Sequence, residues 1–364
     1  MNSLYSLQWL PSYILPFVTL SYPTAPPLNP DSFHHSAYYT TGLLDGCLVI
    51  TCIAVMAILR DVVRVYVLEP FARWKLTRDW RRSNALHLKQ NGKQNGVVQN
   101  GNGNGHVEHV NGGPSKTTMS ARDARKIHRS VLRFAEQGWS VIYYILQWSF
   151  GFYVHRNLPT HALHPTELWI DYPHFPLAGP LKFYYLTQTA FYLHQILILN
   201  AEARRKDHYQ MMTHHVITIF LMVASYFYNY TRVGCLIMVL MDWNDIFLPL
   251  AKMFRYVGLY TLCDITFTWF LASWFVARHV LFIIVIFSAW FDGPRLITVH
   301  WAPELGHYYS PFSHSTFVYL LMALQIIQMI WFWMICRVAW RVISGQGASD
   351  SRSDDESEEE KKNR

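Results

Sequence analysis

Apolar residues in this chain come in blocks long enough to cross a membrane rather than in the short alternations of a soluble core. Measured against the ~20 residues that span a hydrocarbon layer as a helix, seven stretches qualify: Gly42 to Leu59, Trp139 to Tyr153, Leu177 to Leu199, Met211 to Tyr228, Val233 to Ala251, Leu262 to Phe287 and Phe317 to Trp340. Leu7 to Tyr22 is also apolar, but Pro11 and Pro16 interrupt it and Pro23 closes it, which predicts an interfacial or re-entrant segment. No basic run precedes it, so an ordinary cleaved signal peptide is not expected. The predicted class is all-α, a polytopic membrane protein with seven transmembrane helices.

Positive charge orders these blocks. Met1 to Leu59 carries no Lys or Arg, whereas Arg60 to Arg133 carries fifteen. The excess of Lys and Arg belongs on the cytosolic side of short loops, so the first long loop is read as cytosolic and the N-terminus as lumenal. Later loops alternate as that start requires: Arg156 alone, then Arg204, Arg205 and Lys206, then Arg232 alone, then Lys252 with Arg255, with Arg337 and Arg341 closing the last block. The net charge of +7 is thereby a topology signal, and nucleic acid is not expected as a partner. The five cysteines lie in or beside apolar blocks without a CxxC pair, which points to packing rather than to disulfides or a metal module.

The intervening segments complete a domain plan: 1–41 lumenal, 42–69 the first transmembrane helix, 70–119 a cytosolic linker, 120–343 a domain holding the remaining six spans and 344–364 an acidic cytosolic tail. Within the linker, residues 91–113 read NGKQNGVVQNGNGNGHVEHVNGG, too poor in apolar groups to offset the entropy of ordering. Ser120 is placed to cap a basic helix that approaches the membrane surface. In the tail, Ser353 and Ser357 each have an acid three residues on, the pattern of a casein kinase II type site, and Lys361 with Lys362 resembles a dilysine signal for retrieval to the endoplasmic reticulum.

Ionisable groups inside spans are costly to desolvate and mark functional candidates. His214 and His215 open the fourth block, and Asp242 and Asp245 lie in the fifth, three apart and so on one helix face. The two blocks turn near Thr231; at 1.5 Å per residue His214 lies ~26 Å and Asp245 ~21 Å from that turn, at similar depth. Lys252 is expected to share the face of Asp245 and to neutralise a carboxylate. His194 can reach the same cavity, while Arg278, His279 and Asp45 are expected to pair within the bundle or line it.

Imidazole beside carboxylate suits transfer of an acyl group to an amine, which must shed a proton to attack a thioester while oxyanion and thiolate are stabilised. Histidine acts as general base, or attacks the thioester itself and forms an acyl-imidazole. A lone histidine in an apolar helix is ordinarily hydrogen-bonded core, but two beside two carboxylates at matched depth form a different pattern. A di-iron oxygenase would need repeated boxes such as HxxxH and HxxHH, and His208, His214 and His215 give HxxxxxHH instead. His155, His161, His164 and His174 fall on the opposite side; a cluster of four could bind zinc, but unspaced loop histidines are ordinarily solvated, so no metal or cofactor is expected.

Arg205-Lys206-Asp207-His208, His214-His215-Val216-Ile217-Thr218, Ser225-Tyr226, Thr231-Arg232-Val233-Gly234, Met241-Asp242, Asp245 and Ala251-Lys252 together resemble the signature of the TLC-domain ceramide synthases. The likeness extends over Ser120 to Ile343 in hydropathy and is specific from Arg204 to Tyr256. It implies N-acylation of a long-chain sphingoid base by a fatty acyl-CoA co-substrate in the endoplasmic reticulum membrane, with His214, His215, Asp242 and Asp245 required. It also implies six helices, the second to seventh spans, in a barrel around a central cavity with the first span outside. Met241, where animal members often carry His, and the absence of a homeobox-like insert resemble the fungal type; Asn244 stands where serine is common. Arg204, Arg205 and Lys206 would flank the cavity entrance and attract the CoA phosphates. The loop Asp292 to Ser315 corresponds to the family region that influences acyl length. A homo- or heterodimer and a small regulatory membrane subunit are compatible with the resemblance. The rival class is a catalytically silent TLC protein that binds or senses lipid or assists translocation.

Overall fold

The computed structural model describes residues 10–28, 30, 32–95, 119–201 and 207–344, without the side chains of 88–95 and 342. Prolines break the first apolar stretch as expected, leaving a single turn, α1 (Leu15–Val18). The first span follows as α2 (Asp45–Val63), runs through a π-helical turn at Arg64–Leu68 and continues without a stop as α3 (Glu69–Asn95). The helix thus enters the region expected to be linker. Phe71 to Lys89 is rich in Arg, Lys, Leu and Ala, good helix formers that need no burial; the Asn/Gly run at 96–118 lies outside the described residues.

The next apolar blocks form α4 (Ala121–Arg156), α5 (Gly179–Ala201), α6 (His208–Phe227), α7 (Thr231–Tyr256), α8 (Tyr260–Trp274) continued through a π-helical turn at Phe275–Leu281 into α9 (Phe282–Leu296), and α10 (Pro311–Ile343). Ser120 caps α4, its Oγ accepting from the Arg122 amide at 3.3 Å, and α7 continues through Pro249. Four helical stretches of the described residues are long and apolar enough to cross a bilayer: Asp45–His87, Thr231–Tyr256, Tyr260–Leu296 and Pro311–Arg341. Three expected spans, on α4, α5 and α6, are helical but fall short of that apolarity. Among the residues that dilute them are Gln147 on α4, Lys182 and Gln188 on α5 and His215 on α6, all buried, so mean hydropathy penalises groups that lipid never meets.

Packing follows a definite order. α4 packs on α5 and α7, α5 on α6, α6 on α10, α10 on α9, and the α8–α9 rod on α7. α2 leans on α5 from outside, and only 11% of its apolar window is buried, as suits a helix whose remaining surface faces hydrocarbon. Close approaches fix α5: a Cβ on Gly151 would run into Tyr184, and one on Gly234 into Tyr185. One large core cluster joins α2, α4, α5, α6 and α7 around Tyr184, Tyr185 and Phe191. A second lies around Phe282, Val285 and Leu236 between α7, α9 and α10.

At the end opposite the N-terminus of α4, two small sheets cap the helices. β1 (Pro23–Thr24), β2 (Tyr38–Tyr39) and β3 (Leu177–Ala178) form an antiparallel sheet that ties the N-terminal segment to the start of α5. β4 (His300–Ala302) and β5 (His307–Tyr309) form a hairpin. Its Gly306, at φ 71°, is held by Asn229, whose Nδ2 donates to the Gly306 carbonyl at 2.7 Å.

Candidate active site

α6 presents His214 and α7 presents Asp245 to one cavity, which Arg278 of the second π-helical turn also lines. The Arg278 guanidinium, from Nη2, donates to Asp245 Oδ1 at 2.7 Å and to the Met241 carbonyl at 2.8 Å, and it lies 4.1 Å from the ring centroid of Trp274. A π-helical turn widens the helix by one residue, and here it carries a buried cation against the one carboxylate that opens on the cavity. Asp245 keeps 28% side-chain exposure beside an Arg278 side chain with 4%, leaving Oδ2 towards the open space.

From these groups the cavity extends between α6, α7, α9 and α10 to Trp169, Tyr309 and His314 at the far end, and it holds about 990 Å³ of space including its open mouth. Nearly all the wall between is apolar: Leu221, Val233, Ile237, Phe282, Val318 and Leu321 among others. The far end is braced by Trp169, whose Nε1 donates to Ser288 Oγ at 2.8 Å, and by His314, whose Nε2 lies 2.8 Å from the Ala289 carbonyl. Tyr172, just behind, donates to the Tyr228 carbonyl at 2.8 Å and accepts from the Tyr308 amide at 3.2 Å, locking the hairpin over this end. Its hydroxyl titrates at about 12, raised by burial.

The other expected residues separate. His215 is buried beside His214, ring centroids 5.5 Å apart, but it faces Tyr192 of α5 rather than the cavity. Asp242 is fully buried and outside the cavity wall. Three residues along a helix turn ~300°, so ~60° divides the two carboxylates, enough to send Asp242 into α5 while Asp245 meets the cavity. Gln188 of α5 donates from Nε2 to Asp242 Oδ2. Neither histidine is bonded to a carboxylate, and the Nδ1 atoms of both are buried without a partner among the described residues.

Among the described residues expected to reach the cavity or pair with its acids, Arg278 lines it and His194 and Lys252 do not. His194 is buried on the side of α5 near Arg60 and Asp61 of the first span, because α2 covers that face. Lys252 is half-buried two turns beyond Asp245 and off the cavity wall; the cation set against Asp245 is Arg278. Arg204, Arg205 and Lys206 lie outside the described residues, as do Ser353, Ser357, Lys361 and Lys362. Asp45 pairs with Lys182 of α5 at 2.7 Å, and His279 with Gln325 of α10 at 2.7 Å. Among the described residues no three His, Cys, Asp or Glu converge as metal ligands.

Sequence reasoning missed Gln188 and Tyr192. The available signal was the spacing Tyr184, Gln188, Tyr192, one polar-tipped stripe along a helix too apolar elsewhere to need it.

Residues 133–337 match the TLC domain. Among curated proteins, the chain is 40% identical over 259 residues to ceramide synthase FUM18 of Gibberella moniliformis, 64% of this chain and 60% of that protein. It is 40% identical over 231 residues to sphingosine N-acyltransferase lag1 of Schizosaccharomyces pombe, 63% of this chain and 59% of that protein. Ceramide synthase hyl-1 of Caenorhabditis elegans matches at 34% over 221 residues, 59% of each. The chain therefore spans about 60% of the length of these relatives.

Proposed function

Because the chain belongs to the TLC-domain family, we propose that it is a ceramide synthase, joining the amine of a long-chain sphingoid base to a fatty acyl group delivered as its CoA thioester. The names of its relatives support the class. The observation that carries the reading is that His214, Asp245 and Arg278 open onto one end of a long apolar cavity.

That cavity suits a fatty chain in both character and length. From His314 to Gln328 the lining of α10 spans fourteen residues, ~21 Å at helical rise, against ~15 Å for half of a bilayer's hydrocarbon core. An acyl tail lies along the apolar wall, and its carbonyl remains near His214. Burial of Nδ1 leaves Nε2 of His214 as the nitrogen available to substrate. Nε2 takes the proton of the attacking amine, or attacks the thioester carbon itself, expels the thiolate and hands the acyl group to the amine afterwards. Asp245 Oδ2 receives the ammonium form of the base, while Arg278 holds Oδ1 and keeps the carboxylate aimed. Asp242 and His215 support from behind.

The packing order, α4 to α5 to α6 to α10 to α9 and α8 to α7 and back to α4, supports six spans in a ring around this cavity with α2 as a seventh outside it. In that frame the basic end, with the N-termini of α4 and α6, faces the cytosol, where acyl-CoA is delivered. The capped end and the N-terminal segment face the lumen of the endoplasmic reticulum. Purified protein given dihydrosphingosine or phytosphingosine with an acyl-CoA should release free CoA and form ceramide in equal amounts. Absence of both products from folded protein would leave a lipid-binding TLC protein in place of the enzyme.

A further inference from the structure

Asp242 poses a physical problem that the site chemistry leaves open. It is 0% exposed, and burying a carboxylate is tolerable only with hydrogen bonds or a counter-charge. Arg278 binds the other carboxylate. Asp242 Oδ2 accepts from Gln188, and Oδ1 has no close partner among the described residues. Gln188 is itself held, accepting from the Tyr143 hydroxyl at 3.4 Å and donating to the Tyr184 hydroxyl at 3.2 Å.

Several phenols gather near this pair, Tyr143, Tyr184 and Tyr192 among them. Tyr143 and Tyr184 stay outside the cavity, whereas Tyr192 lines it together with His214, Asp245 and Arg278. The Tyr192 hydroxyl lies within interaction range of the Asp242 carboxylate, and its ring meets that of His215 edge-on at 5.8 Å. Among the described residues, Tyr192 therefore joins the cavity wall to the rear histidine and to the neighbourhood of the buried acid.

On the ceramide synthase reading, we infer that Tyr192 is the positioning residue through which the buried Asp242 acts on the site. Asp242, anchored by Gln188, holds the Tyr192 hydroxyl; the held ring fixes one wall of the site and the face against which His215 rests. His215 in turn follows His214 on α6, so the orientation of the reacting imidazole depends on a phenol from a helix that contributes no reacting group. The Asp242 requirement implied by the family signature is then one of geometry, since its carboxylate does not reach the substrate.

The test is Tyr192→Phe in the full-length protein, compared with Tyr226→Phe. Both remove one buried hydroxyl that meets an aspartate, but Tyr226 bonds Asp45 at 2.7 Å and lies off the cavity. Wild-type ceramide formation is measured first; its absence defeats the underlying reading and not this step. Given wild-type activity, Tyr192→Phe should lower kcat tenfold or more with KM for both substrates within twofold and an unchanged melting midpoint. Tyr226→Phe should lower the midpoint and keep kcat. Wild-type kcat in Tyr192→Phe overturns the inference, and so does a loss that merely parallels a lowered midpoint.

Discussion

Lys182 is fully buried and Asp45 nearly so, and together they clasp the first span to the rest of the molecule. Lys182 Nζ lies 2.7 Å from Asp45 Oδ1 and donates to the carbonyls of Ser21 and Thr40 at 2.8 and 2.7 Å. On the other carboxylate oxygen, Asp45 accepts from the Tyr226 hydroxyl at 2.7 Å and the Gly42 amide at 3.0 Å. Lys182→Met removes the cation and leaves a buried carboxylate with neutral donors only, a change that costs about 3–5 kcal/mol. The upper part of that range is expected because two buried carbonyls lose their donor as well. Asp45→Asn strands the ammonium in the same way. The double variant carries no uncompensated charge, so it should recover at least about 1 kcal/mol relative to the sum of the singles. Thermal unfolding in detergent, read by intrinsic fluorescence at several scan rates, ranks the four proteins. A Lys182→Met protein within about 1 kcal/mol of wild type, or strictly additive losses in the double variant, would refute the clasp as an energetic unit.

His214→Ala should abolish ceramide formation in an N-acylation assay while the melting midpoint stays near that of wild type, since the side chain faces a cavity rather than packed core. Asp245→Asn, which keeps volume but loses charge, should lower kcat/KM by at least tenfold with respect to the sphingoid base and less with respect to acyl-CoA; equal losses for both would contradict its role as the amine's anchor. Arg278→Lys should lose activity despite keeping the charge, because a lysine cannot reach both Asp245 and the Met241 carbonyl with the planar fork of the original; full activity would show that charge alone suffices. Gly234→Ala forces a methyl against the Tyr185 hydroxyl and should destabilise by about 1–3 kcal/mol, checked by the same unfolding experiment.

The parts legible in the sequence were those written locally. Apolar blocks located the helices, and His214 and Asp245, expected at one depth relative to the turn near Thr231, line one cavity. Arg278 was recognisable as a cation that must find a partner inside the bundle, and it does. What stayed hidden depends on contacts between distant segments. Asp45 and Lys182 are separated by 137 positions, and nothing near either residue names the other. Gln188 and Tyr192 read as dilution of an apolar span until α7 supplies the acid they meet. Lys252 is the cation that proximity along one helix offers to Asp245; the π-helical turn, invisible to a regular 3.6-residue reading, brings in the more distant Arg278 instead.

Three acids in this bundle, two of them buried and Asp245 partly exposed, show where a protein dominated by apolar packing places its polar groups. Asp45 has both oxygens engaged, by a lysine, a phenol and an amide, and it joins helices without touching the cavity. Asp242 has one oxygen bonded to Gln188 and the other without a hydrogen-bond partner among the described residues. Asp245 has one oxygen on Arg278 and one towards the cavity. Compensation is thus fullest at the clasp and poorest at Asp242, while Asp245, on the cavity wall, is paired to a cation and still keeps exposed surface. On the proposed function, an incoming ammonium would share Asp245 with Arg278, at the carboxylate that lines one cavity with His214.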